Sequence, residues 1–98
     1  MTIKKTKNGT ILTVAAEGRI DTTTAPEFEN AVKTALDGID ELVLDFTKLN
    51  YISSAGLRVL LSLQKTMNTQ GTMKITGVNE TVSDIFEVTG FSDILTIV

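Results

Sequence analysis

The 98-residue chain contains no cysteine and no histidine. Disulfides and thiolate metal sites are thereby excluded, and a conventional zinc centre is deprived of both of its preferred ligands. A serine nucleophile would need a lysine or a carboxylate as its base, and none is placed to serve. Proline occurs once, at Pro26, and the seven glycines are scattered singly, so no linker, low-complexity tract or internal repeat divides the chain. We expect one domain over residues 1–98, a size that buries somewhat more than ~60% of its unfolded surface. An excess of positive charge is lacking too. Nine Lys and Arg against twelve Asp and Glu leave a formal charge of −3, and without a basic patch there is nothing to neutralise a phosphate backbone, so nucleic acid is not an expected partner. No apolar run approaches the ~20 residues of a membrane helix. The lysines of "MTIKKTKNGT" precede no apolar targeting core, and the expectation is a cytoplasmic protein with no membrane insertion. Glycine-rich phosphate loops, dinucleotide fingerprints and nucleophile elbows are all missing, so no catalytic residue, metal or cofactor is expected.

What is present is a clear alternation of periods. Asn8-Gly9 lies between two β-prone runs, a hairpin signal that predicts antiparallel strands over 2–7 and 10–18 joined by a type I′ turn. A helix follows, with Thr24 and Glu27 fitting a capping box, Pro26 in the first turn, Phe28, Ala31, Val32, Ala35 and Leu36 at helical spacing, and Gly38 as its stop. The short run at 41–46, "ELVLDF", suits a strand covered on both faces. From Ser54 the period is helical again: Gly56, Leu60, Leu63 and Met67 share one face with Val59 beside them, Arg58, Ser62, Lys65 and Thr66 fall opposite, and the helix ends near Gly71. "TMKITG" reads as a strand, Asn79 to Gly90 as a capped helix with Val82, Ile85 and Phe86 inward, and "DILTIV" as a last strand. The order β-β-α-β-α-β-α-β predicts an α/β fold with a mixed, largely parallel sheet, an N-terminal hairpin strand and helices packed on the sheet. The loops at 19–24 and 47–54 then fall at one end of the sheet, bringing Asp21 close to the serine pair.

That pair, Ser53-Ser54, opens the third quarter of the chain. A serine at a helix start accepts a hydrogen bond from an orphan N–H of the first turn, but two serines exceed what one cap requires. The same terminus favours an anion, and a phosphoryl group on Ser54 adds about −1.5 to −2 charge near neutral pH without melting the helix. Asp21 reads either as a partner contact or as an Asx-type turn residue. Asp45, at a strand end, is expected to bond backbone N–H groups of the following loop. Leu57 and Leu61 lie on the margin of the helix's apolar arc, where exposure would make a small apolar patch beside a chargeable serine, and Arg58 belongs to the same surface.

"LDFTKLNYISSAGLRVLL" closely resembles the signature of STAS domains, in particular the bacterial anti-sigma factor antagonists, and "GRIDTTTAPEFE" resembles the segment that precedes the first helix in that family. The resemblance covers essentially the whole chain. It implies a phosphoprotein without catalysis of its own: unphosphorylated, it binds an anti-sigma factor that is also a serine kinase; phosphorylation releases it, and a serine phosphatase resets the cycle. Carried over by position, the modified serine is Ser54. Many members carry aspartate where this chain has Ser53, which leaves Ser53 as an alternative acceptor or a cap. With the helix-margin residues named above, the expected partner surface is Asp21, Ser53, Ser54, Leu57, Arg58 and Leu61. A second role that the same resemblance allows is a stand-alone STAS subunit of a membrane transporter complex.

Overall fold

The computed structural model describes all 98 residues, Met1 to Val98. Strands β1 (Thr2–Asn8) and β2 (Ile11–Ile20) form the expected antiparallel hairpin, in register from Thr2 opposite Glu17 to Asn8 opposite Ile11. Its turn differs from the expectation. Asn8 stays in the strand and the two linking residues are Gly9 and Thr10; Gly9 has φ of 64° and no non-glycine residue has positive φ. A type I′ turn needs positive φ at both central residues, whereas glycine at the first alone is the II′ arrangement.

Helix α1 (Ala25–Lys33) carries Pro26 in its first turn and buries Ala25, Phe28 and Val32. The predicted capping box is not formed. The Thr24 side chain makes no cap bond to the helix, because its oxygen accepts from the Asp21 N–H at 2.8 Å instead, while its hydroxyl proton goes to the Arg19 carbonyl. Past Lys33 the chain tightens, with the Ala35 and Leu36 N–H groups donating to the carbonyls three residues back. It reverses at Gly38 (φ 76°), so the glycine ends this tightened turn and lies beyond the helix proper.

The remaining elements are β3 (Glu41–Asp45), β4 (Leu49–Ile52), α2 (Ser54–Asn68), β5 (Thr72–Thr76) and α3 (Glu80–Val88), followed by a 3-10 turn at Phe91–Asp93. The strand order is β1-β2-β3-β5, with β4 paired to β2 off that path. β2 is the spine. Its residues Ile11 to Ala15 pair in parallel with β3, and Gly18 to Ile20 pair in parallel with β4 across a bulge at Gly18 and Arg19. Because the order advances one way from β2 to β3 to β5, right-handed crossovers put α1 and α2 on the same face of the sheet.

Burial agrees with that topology. Leu12, Val14, Ala16, Leu42, Leu44, Met73 and Ile75 are buried beneath the helices, while their neighbours Thr13, Ala15, Val43, Asp45, Lys74 and Thr76 are only half-buried on the opposite face. The strand at 41–45 is therefore covered on one face, not two. One apolar cluster joins the sheet to all three helices, with Phe28, Leu60, Leu63 and Phe86 filling the interval. The mixed, largely parallel sheet with helices packed on it is as expected from the sequence, with two changes of detail. Leu49–Ile52 is a strand where a loop was expected, and the final strand is reduced to a single bridge between Ile75 and Ile97. The second change has a local cause: Gly90 (φ 79°) starts the 3-10 turn, whose N–H groups at Asp93, Ile94 and Leu95 are bonded back to Gly90 and Phe91. Most of "DILTIV" is thus consumed before it reaches β5. The outer edge of β1 carries Lys4, Lys5 and Lys7, and Lys5 Nζ reaches over to donate to the Ala31 carbonyl near the end of α1.

Candidate functional site

β2 and β4 run parallel with Ile20 opposite Ile52, so the residues that follow each strand emerge side by side. The Ser53 N–H donates to the Ile20 carbonyl at 2.8 Å, which joins the 21–24 loop to the start of α2 through one backbone bond. The expectation that Asp21 and the serine pair share one edge is met in this way. A second device fixes how α2 sits there. Gly56 has no side chain, and a Cβ on it would stand 2.5 Å from Ile52 Cγ1 and 2.7 Å from Ile20 Cγ2, so the first turn of α2 rests directly on the two paired isoleucines.

The two serines divide their roles. Ser53 is the N-cap, in extended conformation, and its half-buried Oγ accepts from the Gly56 N–H at 3.4 Å. Ser54 is the first residue of α2 and is exposed. With the cap supplied by its neighbour, the Ser54 hydroxyl is left facing solvent with no hydrogen-bond partner in the chain.

Asp21 is the keystone of the neighbouring loop. Its Oδ1 accepts from the Thr23 hydroxyl at 2.7 Å and from the N–H groups of Thr23 and Thr24 at 3.0 and 3.1 Å. The Thr23 hydroxyl first, and then the Thr24 N–H, hold the Asp21 carboxyl below its ordinary value, since both bond the charged form. The Asx-type reading of this residue therefore describes its geometry. Its second oxygen lies 3.7 Å from Arg19 Nε, and the Arg19 guanidinium stacks over the Tyr51 ring at 4.6 Å from its centroid. Asp45 likewise behaves as expected. Its carboxylate accepts from the Thr47 hydroxyl at 2.6 Å and the Thr47 N–H at 3.0 Å, which lowers its pKa, helped by the Lys48 charge. This turn lets the chain leave β3 and rejoin the sheet as β4.

The remaining candidates separate. Arg58 is exposed and Leu61 half-buried. Leu57 is only 5% exposed and belongs to the core, so it cannot line a surface patch. Sequence reasoning missed the Arg19–Tyr51 pair, which flanks the serines only because the bulge at Gly18 and Arg19 brings those two residues opposite each other. It also missed a cleft of about 250 Å³ between the first turns of α1 and α2, lined by Thr22, Pro26, Glu29, Ala55 and Arg58 among others. No sequence signal marks either, since both depend on non-local packing.

The family model for the STAS domain matches residues 2–98. An anti-sigma-B factor antagonist of Listeria monocytogenes is 34% identical over 83 residues, covering 82% of this chain and 72% of that protein. Among solved structures, an anti-sigma factor antagonist from Mycobacterium paratuberculosis superposes with a TM-score of 0.88 at 21% identity, covering 98% of this chain and 83% of the other. The Bacillus cell fate determinant SpoIIAA in its phosphorylated form superposes with a TM-score of 0.76 at 13% identity, covering 99% and 91%.

Proposed function

We propose, from the premise that this chain belongs to the STAS domain family, that it is an anti-sigma factor antagonist switched by phosphorylation at Ser54. Unmodified, it captures an anti-sigma factor that is also a serine kinase. The kinase moves the γ-phosphoryl group of ATP to Ser54 Oγ: the new O–P bond forms, the bond to the bridging oxygen of ADP breaks, and the hydroxyl proton passes to a base on the kinase. A serine phosphatase later hydrolyses the ester. The surface that docks is formed by Asp21, Ser53, Ser54, Arg58 and Leu61, with the cleft between α1 and α2 beside it.

The observation that carries this reading is the division of labour between the serines. Ser53 occupies the cap, so Ser54 presents an unengaged hydroxyl at the helix terminus, where a dianion is compatible with the N–H groups and the positive end of the dipole. Modification changes the surface and leaves the core as it was. In support, a relative 34% identical is named an anti-sigma factor antagonist, and a protein of this fold has been solved phosphorylated.

The test is intact-mass analysis after incubation with the anti-sigma factor recovered on the protein from its native cells, with and without ATP. A gain of one phosphoryl group mapped to Ser54 is expected, abolished in Ser54→Ala and kept in Ser53→Ala. Ser54→Ala should bind that partner with ATP present or absent, and Ser54→Asp should bind weakly. Transfer to Ser53, or equal binding by wild type, Ser54→Ala and Ser54→Asp, would overturn the reading.

A further inference from the structure

Arg58 is the one exposed cation of α2 within a turn of Ser54. Residues four apart on a helix are neighbours on its surface, and helical side chains lean toward the N-terminus, so the Arg58 side chain extends back over the turn that holds Ser54. It enters no ion pair of the chain; Glu29, across the cleft from it, is bound instead by Lys33 at 3.0 Å. The guanidinium is therefore free, lines the cleft between α1 and α2, and is one helical turn from the proposed acceptor.

We infer that Arg58 is the internal partner of the phosphoryl group on Ser54, so that modification withdraws a cation from the docking cleft as well as adding an anion beside it. The inference rests on Ser54 as the site of modification. Before modification the cleft offers an uncompensated guanidinium to a partner's acidic side chain. Afterwards the guanidinium is bound by phosphate oxygens, a pairing its planar fork suits, and the cleft no longer offers an uncompensated cation, Glu29 being paired with Lys33 already. One chemical event thus alters both the rim and the cleft, and the change stays within one helix.

Phosphoserine can be installed at position 54 during translation, which makes the test independent of any kinase. The phosphate resonance is then titrated by phosphorus NMR in the otherwise native chain, in Arg58→Gln and in Arg58→Lys. The other charges facing this corner, Asp21 and Arg19 from the end of β2 and Glu29 and Lys33 on α1, are common to all three proteins. The second ionisation, ~6 for free phosphoserine, is expected about 0.2–0.4 of a unit lower in the otherwise native chain than in Arg58→Gln, as for a surface pair at this spacing, with Arg58→Lys between the two. The unmodified variants should melt with the parent, since residue 58 is exposed. Coincident titrations for the otherwise native and Arg58→Gln chains would overturn the inference. A kinase that never labels Ser54 would sink the proposed function and leave this titration standing.

Discussion

Replacing Gly56 by alanine tests how the start of α2 is held. The added Cβ would stand 2.5 Å from Ile52 Cγ1, 2.7 Å from Ile20 Cγ2 and 3.1 Å from Ile52 Cδ1, against about 3.5–4.0 Å for a relaxed carbon pair. The two nearest atoms must each withdraw by about 1 Å to reach that spacing. Neither can do so freely. Both belong to β-branched side chains that are 0% and 1% exposed, on residues paired across β2 and β4, and both branch next to the backbone, where rotamer freedom is small. Overpacking of this kind costs about 1–3 kcal/mol. Alanine regains up to ~1 kcal/mol of helix propensity, and less in a first turn than in a helix interior. The net expectation is a loss of about 1–2 kcal/mol, or roughly 4–8 °C in Tm for each kcal/mol in a domain of this size. Urea unfolding followed by circular dichroism reads it directly: the midpoint should fall by roughly 0.3–2 M with the slope unchanged. A Gly56→Ala protein as stable as its parent would show that α2 does not rest on Ile20 and Ile52 as described.

Four further outcomes follow from the same geometry. Ser53→Ala should lose about 0.5–1 kcal/mol, the lower part of the N-cap range because the bond is long at 3.4 Å, whereas Ser54→Ala should stay within about 0.5 kcal/mol of wild type; urea midpoints of the pair decide it, and a larger loss in Ser54→Ala would refute the assignment of the cap. Gln70 Nε2 donates to the carbonyls of both Leu36 and Ile39 at 2.8 Å; the Leu36 carbonyl keeps the Ile39 N–H, so Gln70→Ala should cost about 1–2 kcal/mol, chiefly by stranding the Ile39 carbonyl, and an unchanged melt would refute this. Asn79 caps α3 through Val82 and also donates to the Leu49 carbonyl of β4; Asn79→Ala should lose about 1–2 kcal/mol and speed hydrogen exchange in β4, and exchange confined to α3 would deny the coupling. For Asp21, the folded pKa lies below the ordinary 3.8, so the unfolded chain takes up the proton first as acid is added. The stability that Asp21 supplies is complete above the ordinary value and is lost as pH falls through the folded one. The urea-midpoint gap between wild type and Asp21→Asn should therefore be constant down to about pH 5 and shrink below about pH 4; a gap that widens in acid refutes it.

Elements written in local chemistry are legible in the sequence. The hairpin, the inward faces of α1 and α2, the strand at 72–76 and the Asn79 cap all follow from spacing within a dozen residues. The features that are not legible depend on distant partners. "LNYI" is too short and too polar at Asn50 to announce a strand, and becomes one because the end of β2 projects past β3 and offers it an edge. "DILTIV" has strand-like composition, but the 3-10 turn after Gly90 takes its first residues. Leu57 looks marginal from its helical spacing, yet it is buried in the shared core. Of the site, the serine pair, Asp21 and Arg58 are visible as residues. Which serine caps and which is free, and the cleft itself, require the packing.

The β1 and β5 margins of the sheet are each guarded against strand addition. On one side, β1 presents Lys4, Lys5 and Lys7 along its free edge, and charged edges discourage another chain from adding a strand. On the other, the chain's own last residues bond to Ile75 on both its N–H and its carbonyl. With lysines along one border and the chain's own end laid on the other, neither offers a bare template on which a further strand could grow.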